Sequence, residues 1–348
     1  MTLHRGVLCA VAAAALFGLS TPFAKMLVGE SSPLLLAGCL YLGSGFGLAL
    51  VIGVRAVISG ATIVRPRGTD LFWLLGAIGC GGVMGPYLLL YGLRASDAAS
   101  ASLILNLEGV FTALLAWFAF RENFDRRIAF GMALIVAGGL VLSTGGALRA
   151  SGFIGPVAIA GACLAWAIDN NLTRKVAAND AMFIACCKGL VAGPVSLIIA
   201  LKLGASLPPA IELVKAGLLG FVAYGLSLTL FVVGLRDLGT ARTGAYFSLA
   251  PFLGAALAVG LGAPVTAPLL IAGGLMAAGV WLHLTERHSH GHRHERLSHE
   301  HSHIHDAHHQ HIHDPGTPAA EPHSHPHVHE PLEHTHEHYP DVHHRHEH

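Results

Sequence analysis

Charged side chains are scarce in this chain: Asp, Glu, Lys and Arg make up 12% of 348 residues, against 53% hydrophobic residues. So few charges cannot hold a polypeptide of this length in water as ordinary globular domains. Basic residues show no excess, since 21 Lys and Arg face 21 Asp and Glu. No basic face is available for nucleic acid, and a nucleic-acid partner is excluded. Cysteine is rare too. All six (Cys9, Cys39, Cys80, Cys163, Cys186, Cys187) sit in apolar runs, where free cysteine behaves as a small buried hydrophobe, so no disulfide framework is indicated. Ahead of residue 285 the only histidines are His4 and His283. That leaves no mid-chain imidazole to act as a base, and neither a Gly-x-Ser-x-Gly elbow nor a His-Glu-x-x-His helix occurs there. An intramembrane enzyme is therefore disfavoured.

What is present divides into two materials. Residues 1–284 carry a net charge of +7, whereas residues 285–348 carry −7 and hold 23 of the 25 histidines. Mean hydropathy over the whole chain is +0.57. The first part contains ten apolar stretches of the length a helix needs to cross hydrocarbon, about 20 residues. They are expected near 7–28, 33–54, 70–93, 98–120, 127–148, 153–173, 182–203, 214–236, 241–262 and 267–284. Short polar or Gly/Pro breaks separate them, such as Arg65-Pro66-Arg67-Gly68 and Leu207-Pro208-Pro209, and none leaves room for a soluble domain. The first stretch is also long enough for a signal peptide, but it runs on through Pro22-Phe23-Ala24 to Lys25 and a second span, as a retained helix does. Loop charge sets orientation. Arg5, Arg55, Arg65, Arg67, Arg121, Arg126, Arg127, Arg174, Lys175, Arg236 and Arg242 fall on one side, against Arg94, Arg149, Lys202 and Lys215 on the other. Both termini are thus expected in the cytoplasm, with the chain multi-pass in an inner membrane.

The chain also repeats itself. An offset of 142 aligns Gly92-Leu93-Arg94 with Gly234-Leu235-Arg236 and Leu107–Phe111 with Leu249–Leu253, and a second offset near 149 matches the first helix to a stretch reaching Trp166 and Arg174. Ten spans then divide into five and five, and an odd number per unit inserts the second copy upside down, the arrangement of many secondary transporters. Leu103-Ile104-Leu105-Asn106-Leu107-Glu108-Gly109-Val110-Phe111-Thr112-Ala113-Leu114-Leu115-Ala116-Trp117, ending in Arg121-Glu122, resembles the signature of EamA-type transporters in the drug/metabolite transporter superfamily. Leu16-Phe17-Gly18 with Lys25, and Ser248-Leu249-Ala250-Pro251-Phe252-Leu253-Gly254, are similar to that family as well. The chain departs from the family at Gly109, where proline is usual, although Pro251 is kept in the second half. The resemblance implies an all-α integral membrane protein of two inverted five-helix repeats, residues 1–150 and 151–284, exporting a small organic metabolite or drug-like compound by alternating access.

An ionisable group inside a span costs on the order of 3 kcal/mol and so needs a partner or a role. Lys25, Glu108, Asp169 and Lys188 qualify, and Asp169 is followed by Asn170, Asn171 and Thr173, which give that helix a polar face. One reading places Glu108 and Asp169 in a water-filled cavity where they bind substrate or a proton. The other pairs Glu108 with Lys188 or Lys25 as a structural tie, leaves Asp169 at a solvated helix end, and makes Lys25 a snorkelling anchor. Among the aromatics, Trp166 and Tyr246 are the residues chosen for a substrate pathway, while Trp117, Tyr87, Tyr91 and Tyr224 suit stacking or interface anchoring equally. The clustered Gly79, Gly81, Gly82 and Gly85 read as close helix packing.

Residues 285–348 are expected to be a disordered, cytoplasmic, low-complexity tail with histidine at alternate positions: His288, His290, His292, His294, His299, His301, His303, His305, His309, His311, His313, His323, His325, His327 and His329. Either an extended or a helical chain groups such imidazoles, which suit Zn, Ni, Co or Cu. The tail is then a metal reservoir, a sensor or collector for a transition-metal efflux carrier, or a pH-sensitive arm drawn to anionic lipid. No cofactor is required by the membrane part. The expected partners are a small-molecule substrate, membrane lipid and metal ions at the tail, and self-association into a homodimer stays open.

Overall fold

Apolar stretches of this length can satisfy their backbone polar groups in hydrocarbon only as helices. A computed structural model of the chain describes residues 2–29, 32–59, 66, 68–120, 126–144, 153–285, 289–294, 297–303, 323–329 and 332–337. Helices occupy the hydrophobic stretches in order: α1 Thr2–Val28, α2 Pro33–Ser59, α3 Thr69–Ala77, α4 Gly85–Ala95, α5 Ala98–Ile104, α6 Leu107–Phe120, α7 Arg126–Thr144, α8 Ile154–Val176, α9 Ala181–Lys202, α10 Ala210–Gly220, α11 Ser227–Phe247, α12 Ala250–Gly260 and α13 Ala267–Leu284. Asp97 and Asp180 cap α5 and α9, each accepting from a first-turn backbone N–H at 2.8 and 2.9 Å.

Six helical stretches among the described residues are long and apolar enough to cross a membrane: Arg5–Val28, Pro33–Ile58, Thr69–Ala95, Ala181–Lys202, Ala210–Leu238 and Thr243–Gly260. Shorter apolar stretches cover Ala98–Thr112, Ala129–Leu142 and Ala267–Leu282. α8 is long enough, but Asp169, Arg174 and Lys175 dilute its hydrophobicity. The distribution of polarity is that of a protein in lipid. Phe46, Phe72, Leu218 and Leu270 are each more than 60% exposed, whereas Ser44, Asn106, Asp169, Thr173, Lys188 and Ser196 are buried. An apolar rim around a polar interior would be unstable in water and is natural in hydrocarbon.

The helices are interrupted at four points. A π-helical turn, Ile78–Met84, joins α3 to α4, and another, Phe221–Leu226, joins α10 to α11. α5 and α6 are separated by a turn at Leu105–Asn106, and α11 and α12 by one at Ser248–Leu249. Each pair of irregularities is separated, within a residue, by the offset at which the sequence matches itself. Helical hydrogen bonding continues through 236–241, where hydropathy predicts a loop. The chain still reverses there, because a Cβ on Gly234 would lie 2.9 Å from Thr243 Cγ2, and nine residues of straight helix would put them about 13 Å apart.

The packing has two-fold character. α1 lies on α11 as α8 lies on α4, and α12 lies on α1 as α6 lies on α8. α2 pairs with α9, α7 with α13 and α5 with α12. Exchanging the equivalent helices of the two halves leaves these pairs unchanged except α5–α12, whose counterpart is a lesser contact of α6 with α11. Glycine lets α2 and α9 approach closely: a Cβ on Gly45 would be 2.7 Å from Leu190 N, and one on Gly189 would be 2.4 Å from Gly45 N. α2 and α9 thus meet backbone to backbone.

In the tail, expected to lack regular structure, four short stretches among the described residues are strands. Ser289–His294 (β1) pairs antiparallel with Leu332–Glu337 (β4), and Leu297–His303 (β2) with His323–His329 (β3). Histidine on alternate residues has the two-residue period of a strand, which is the pattern's own reason for extended backbone. His299, His301 and His303 stand in register with His327, His325 and His323, and His290 and His292 with His336 and His334. His288, His305, His309, His311 and His313 lie outside the described residues.

Candidate functional site

The turn at Leu105–Asn106 starts a new helix in the middle of the bundle. Asn106 Nδ2 donates to Leu103 O at 3.1 Å, and Cys163 Sγ lies 3.7 and 3.8 Å from the carbonyls of Ile104 and Leu105, so the freed acceptors of α5 are answered by side chains. Glu108 falls in the first turn of α6, where unpaired N–H groups favour a carboxylate.

α8 presents its polar face to that point. Trp166, Asp169, Asn170 and Thr173 are three or four residues apart and share one side of the helix. Asn170 Nδ2 donates to Glu108 Oε1 at 2.7 Å. Asp169 Oδ1 accepts from Thr173 Oγ1 at 2.8 Å and from Lys188 Nζ at 2.5 Å. Lys188 also donates to Thr173 Oγ1 at 2.8 Å, so its ammonium is committed on two sides.

The π-helical turn supplies the remaining polar anchor. Gly81 O accepts from Tyr41 Oη at 2.9 Å and from Trp166 Nε1 at 3.0 Å, which fixes both rings. Only glycine fits at that position, since a Cβ would lie 1.9 Å from Asp169 Oδ2.

These groups wall a cavity with about 490 Å³ of empty space, its mouth included. Glu108, Asp169 and Asn170 form one wall; Phe17, Tyr41, Trp166, Tyr224, Phe231 and Phe247 form most of the rest, with Ala223, Ser227 and Leu228. The rings lock one another. Phe17 stands edge-on to Trp166 at 5.6 Å and to Tyr224 at 5.9 Å, and Phe231 meets Phe247 at 4.8 Å.

Of the residues singled out in the sequence, Glu108, Asp169, Asn170 and Trp166 come together at this cavity and Lys188 stands directly behind it. The other two do not. Lys25 donates to Leu93 O and lies 3.5 Å from Arg94 O, at the C-terminal end of α4, where a cation complements the helix dipole. Tyr246 is half-buried and is not part of the cavity wall, which its neighbour Phe247 occupies instead. The structural tie expected of Glu108 is made by Asp169: Lys188 pairs with Asp169, and Glu108 pairs with a neutral amide. Asp169 is buried, not at a solvated helix end. Phe17, Tyr41, Phe231 and Phe247 went unnoticed in the sequence as candidates because a cavity phenylalanine and a lipid-facing one look alike there. No group of three or more His, Cys, Asp or Glu side chains is gathered to hold a metal among the described residues.

Two segments of the chain, residues 4–144 and 153–285, match the model of the EamA-like transporter family. The chain belongs to this family. Among its relatives, an uncharacterized transporter of Methanothermobacter thermautotrophicus is 29% identical over 292 residues, covering 80% of this chain and 85% of that protein. The uncharacterized transporter YyaM of Bacillus subtilis is 25% identical over 283 residues, 76% of this chain and 90% of its own length. A 60-residue stretch is 42% identical to the probable 4-amino-4-deoxy-L-arabinose-phosphoundecaprenol flippase subunit ArnE of Pseudomonas fluorescens, covering 17% of this chain and 53% of that subunit. A solved crystal structure superimposes with a TM-score of 0.62 at 21% identity, over 80% of this chain and 94% of that one, which is a likeness of fold. The family and its relatives point to a multi-pass membrane transporter of the drug/metabolite type rather than to an enzyme.

Proposed function

We propose that the EamA-family chain exports a small organic metabolite or drug-like compound by alternating access, with the cavity beside Glu108 as its binding site. The observation that carries this reading is Glu108 itself, a carboxylate held in an aromatic cavity by a single neutral amide, Asn170. A group as costly as this in a membrane interior is retained for a ligand or an ion that comes and goes. In this reading all ten hydrophobic stretches are spans in an inner membrane, both termini are cytoplasmic, and residues 1–150 and 151–284 are the two inverted repeats. The exchange-symmetric packing and the matched helix interruptions favour that division. Small movements at the α2–α9 contact would close the cavity on one side and open it on the other. The transition-metal alternative finds no supporting group of ligands among the described residues of the membrane part.

Leu228 on the cavity wall gives a direct test. Leu228→Cys, with the unaltered chain as blank, should react with a charged membrane-impermeant thiol reagent applied outside intact cells and also to inverted vesicles. Reaction from one side only would sink alternating access. Export is read by comparing compound accumulation in cells expressing the native chain with cells expressing Glu108→Gln, which should accumulate more.

A further inference from the structure

The two carboxylates of the cavity are not equivalent, and the difference specifies the charge of the ligand. Asp169 is neutralised from behind by Lys188, whose side chain is 1% exposed and already donates to Asp169 and Thr173. That lysine has two of its three donors engaged and is not part of the cavity wall. Among the described residues Glu108 receives only the uncharged Asn170 amide. Among the described residues no Lys, Arg or His belongs to the wall of the cavity, so an anionic ligand would meet carboxylate and aromatic faces there and no cation. The rings add to this, because the faces of Tyr, Trp and Phe carry the negative side of their quadrupole and attract cations most strongly where water is excluded. The apolar breadth of the same rings suits a flat or bulky hydrocarbon body.

From this asymmetry we infer that the substrate is an organic cation, an amine or quaternary ammonium compound whose charge sits on Glu108 and whose apolar body lies among Phe17, Trp166 and Tyr224. The inference rests on reading the cavity as the transport site and names the class of molecule it takes. Asn170 positions the Glu108 carboxylate, and Lys188 keeps Asp169 from competing for the cation.

Three probes that share a ring and differ in charge test it with the purified full chain: 2-(1-naphthyl)ethylammonium, the uncharged 2-(1-naphthyl)ethanol and the anionic 3-(1-naphthyl)propanoate, measured by equilibrium dialysis. The ammonium should bind at least about tenfold tighter than the alcohol, with the carboxylate no tighter than the alcohol. In Glu108→Gln, an isosteric change, ammonium and alcohol should come within about threefold of each other. The native chain alone suffices for the first comparison, so a poorly folding variant does not remove the test. Binding of the carboxylate as tight as the ammonium, absence of ammonium binding, or an ammonium preference untouched in a folded Glu108→Gln protein would each overturn the substrate class. Failure of the transport reading would appear elsewhere, as one-sided labelling of Leu228→Cys, which does not depend on any ligand.

Discussion

Lys188 Nζ lies 2.5 Å from Asp169 Oδ1, with the two side chains 1% and 7% exposed, so α8 and α9 are joined by an ion pair that solvent barely touches. Thr173 completes it by accepting from the ammonium and donating to the carboxylate. A buried pair contributes little over a well-packed apolar pair, but removing one partner strands a charge at a cost of about 3–5 kcal/mol. Lys188→Met and Asp169→Leu should therefore each lower thermal stability in detergent sharply. The double variant should recover much of the loss. Equal and additive losses in a double-mutant cycle would show that the two groups are not coupled.

Gly81 holds Tyr41, Trp166 and Asp169 together at one point. A methyl at this position would overlap the Asp169 carboxylate, whereas one on nearby Gly79 meets nothing within 4 Å. Gly81→Ala should shift Asp169 or the π-helical turn, reduce transport severalfold and lower the unfolding temperature. Gly79→Ala should leave both close to the native values, and indistinguishable behaviour of the two variants would remove the steric argument.

The polar half of the site and Trp166 were legible in the sequence; most of the other rings were not. Glu108, Asp169 and Asn170 stand out because polar residues in an apolar run demand an explanation, and that demand is independent of the rest of the fold. Phe17, Phe231 and Phe247 carry no such mark; the same residue type covers the lipid-facing surface at Phe46 and Phe72. Lys25 and Lys188 are equally anomalous as text. Only the tertiary fold sends one to backbone carbonyls of α4 and the other to a carboxylate of α8. Gly81, Gly82 and Gly85 pack closely, as their clustering suggests, and Gly79 does not; the π-helical turn, and the doubly used carbonyl it exposes, follow from tertiary contacts with Tyr41 and Trp166.

The α2–α9 contact joins helices from the two sequence repeats at backbone distance. Gly45→Val would drive two methyls into the backbone of Gly189 and Leu190, whereas Gly53 in the same helix has open space around it. Gly45→Val should destabilise the protein by about 1–3 kcal/mol, as overpacking does elsewhere, and should impair transport beyond what its lower expression explains. Gly53→Val is the control. Normal transport by a Gly45→Val protein of native stability would show that the halves do not need this close approach.

The tail separates from the membrane part in composition, in charge and in backbone, and its function should separate as well. Cross-strand register sets His299 against His327 and His301 against His325. Imidazole ligands favour Ni, Zn, Co or Cu over Mg or Ca. A chain stopped after Thr285 should lose high-affinity Ni and Zn binding, measured by dialysis and metal analysis of purified protein, and should transport organic substrate at the native rate. Asn170→Ala, which leaves the tail intact but unseats Glu108, should behave in the opposite way, with metal uptake unchanged and transport impaired. If truncation abolished transport only when metal is supplied, the tail would be a sensor acting on the cavity. If it abolished transport with or without metal, the tail would be part of the carrier itself.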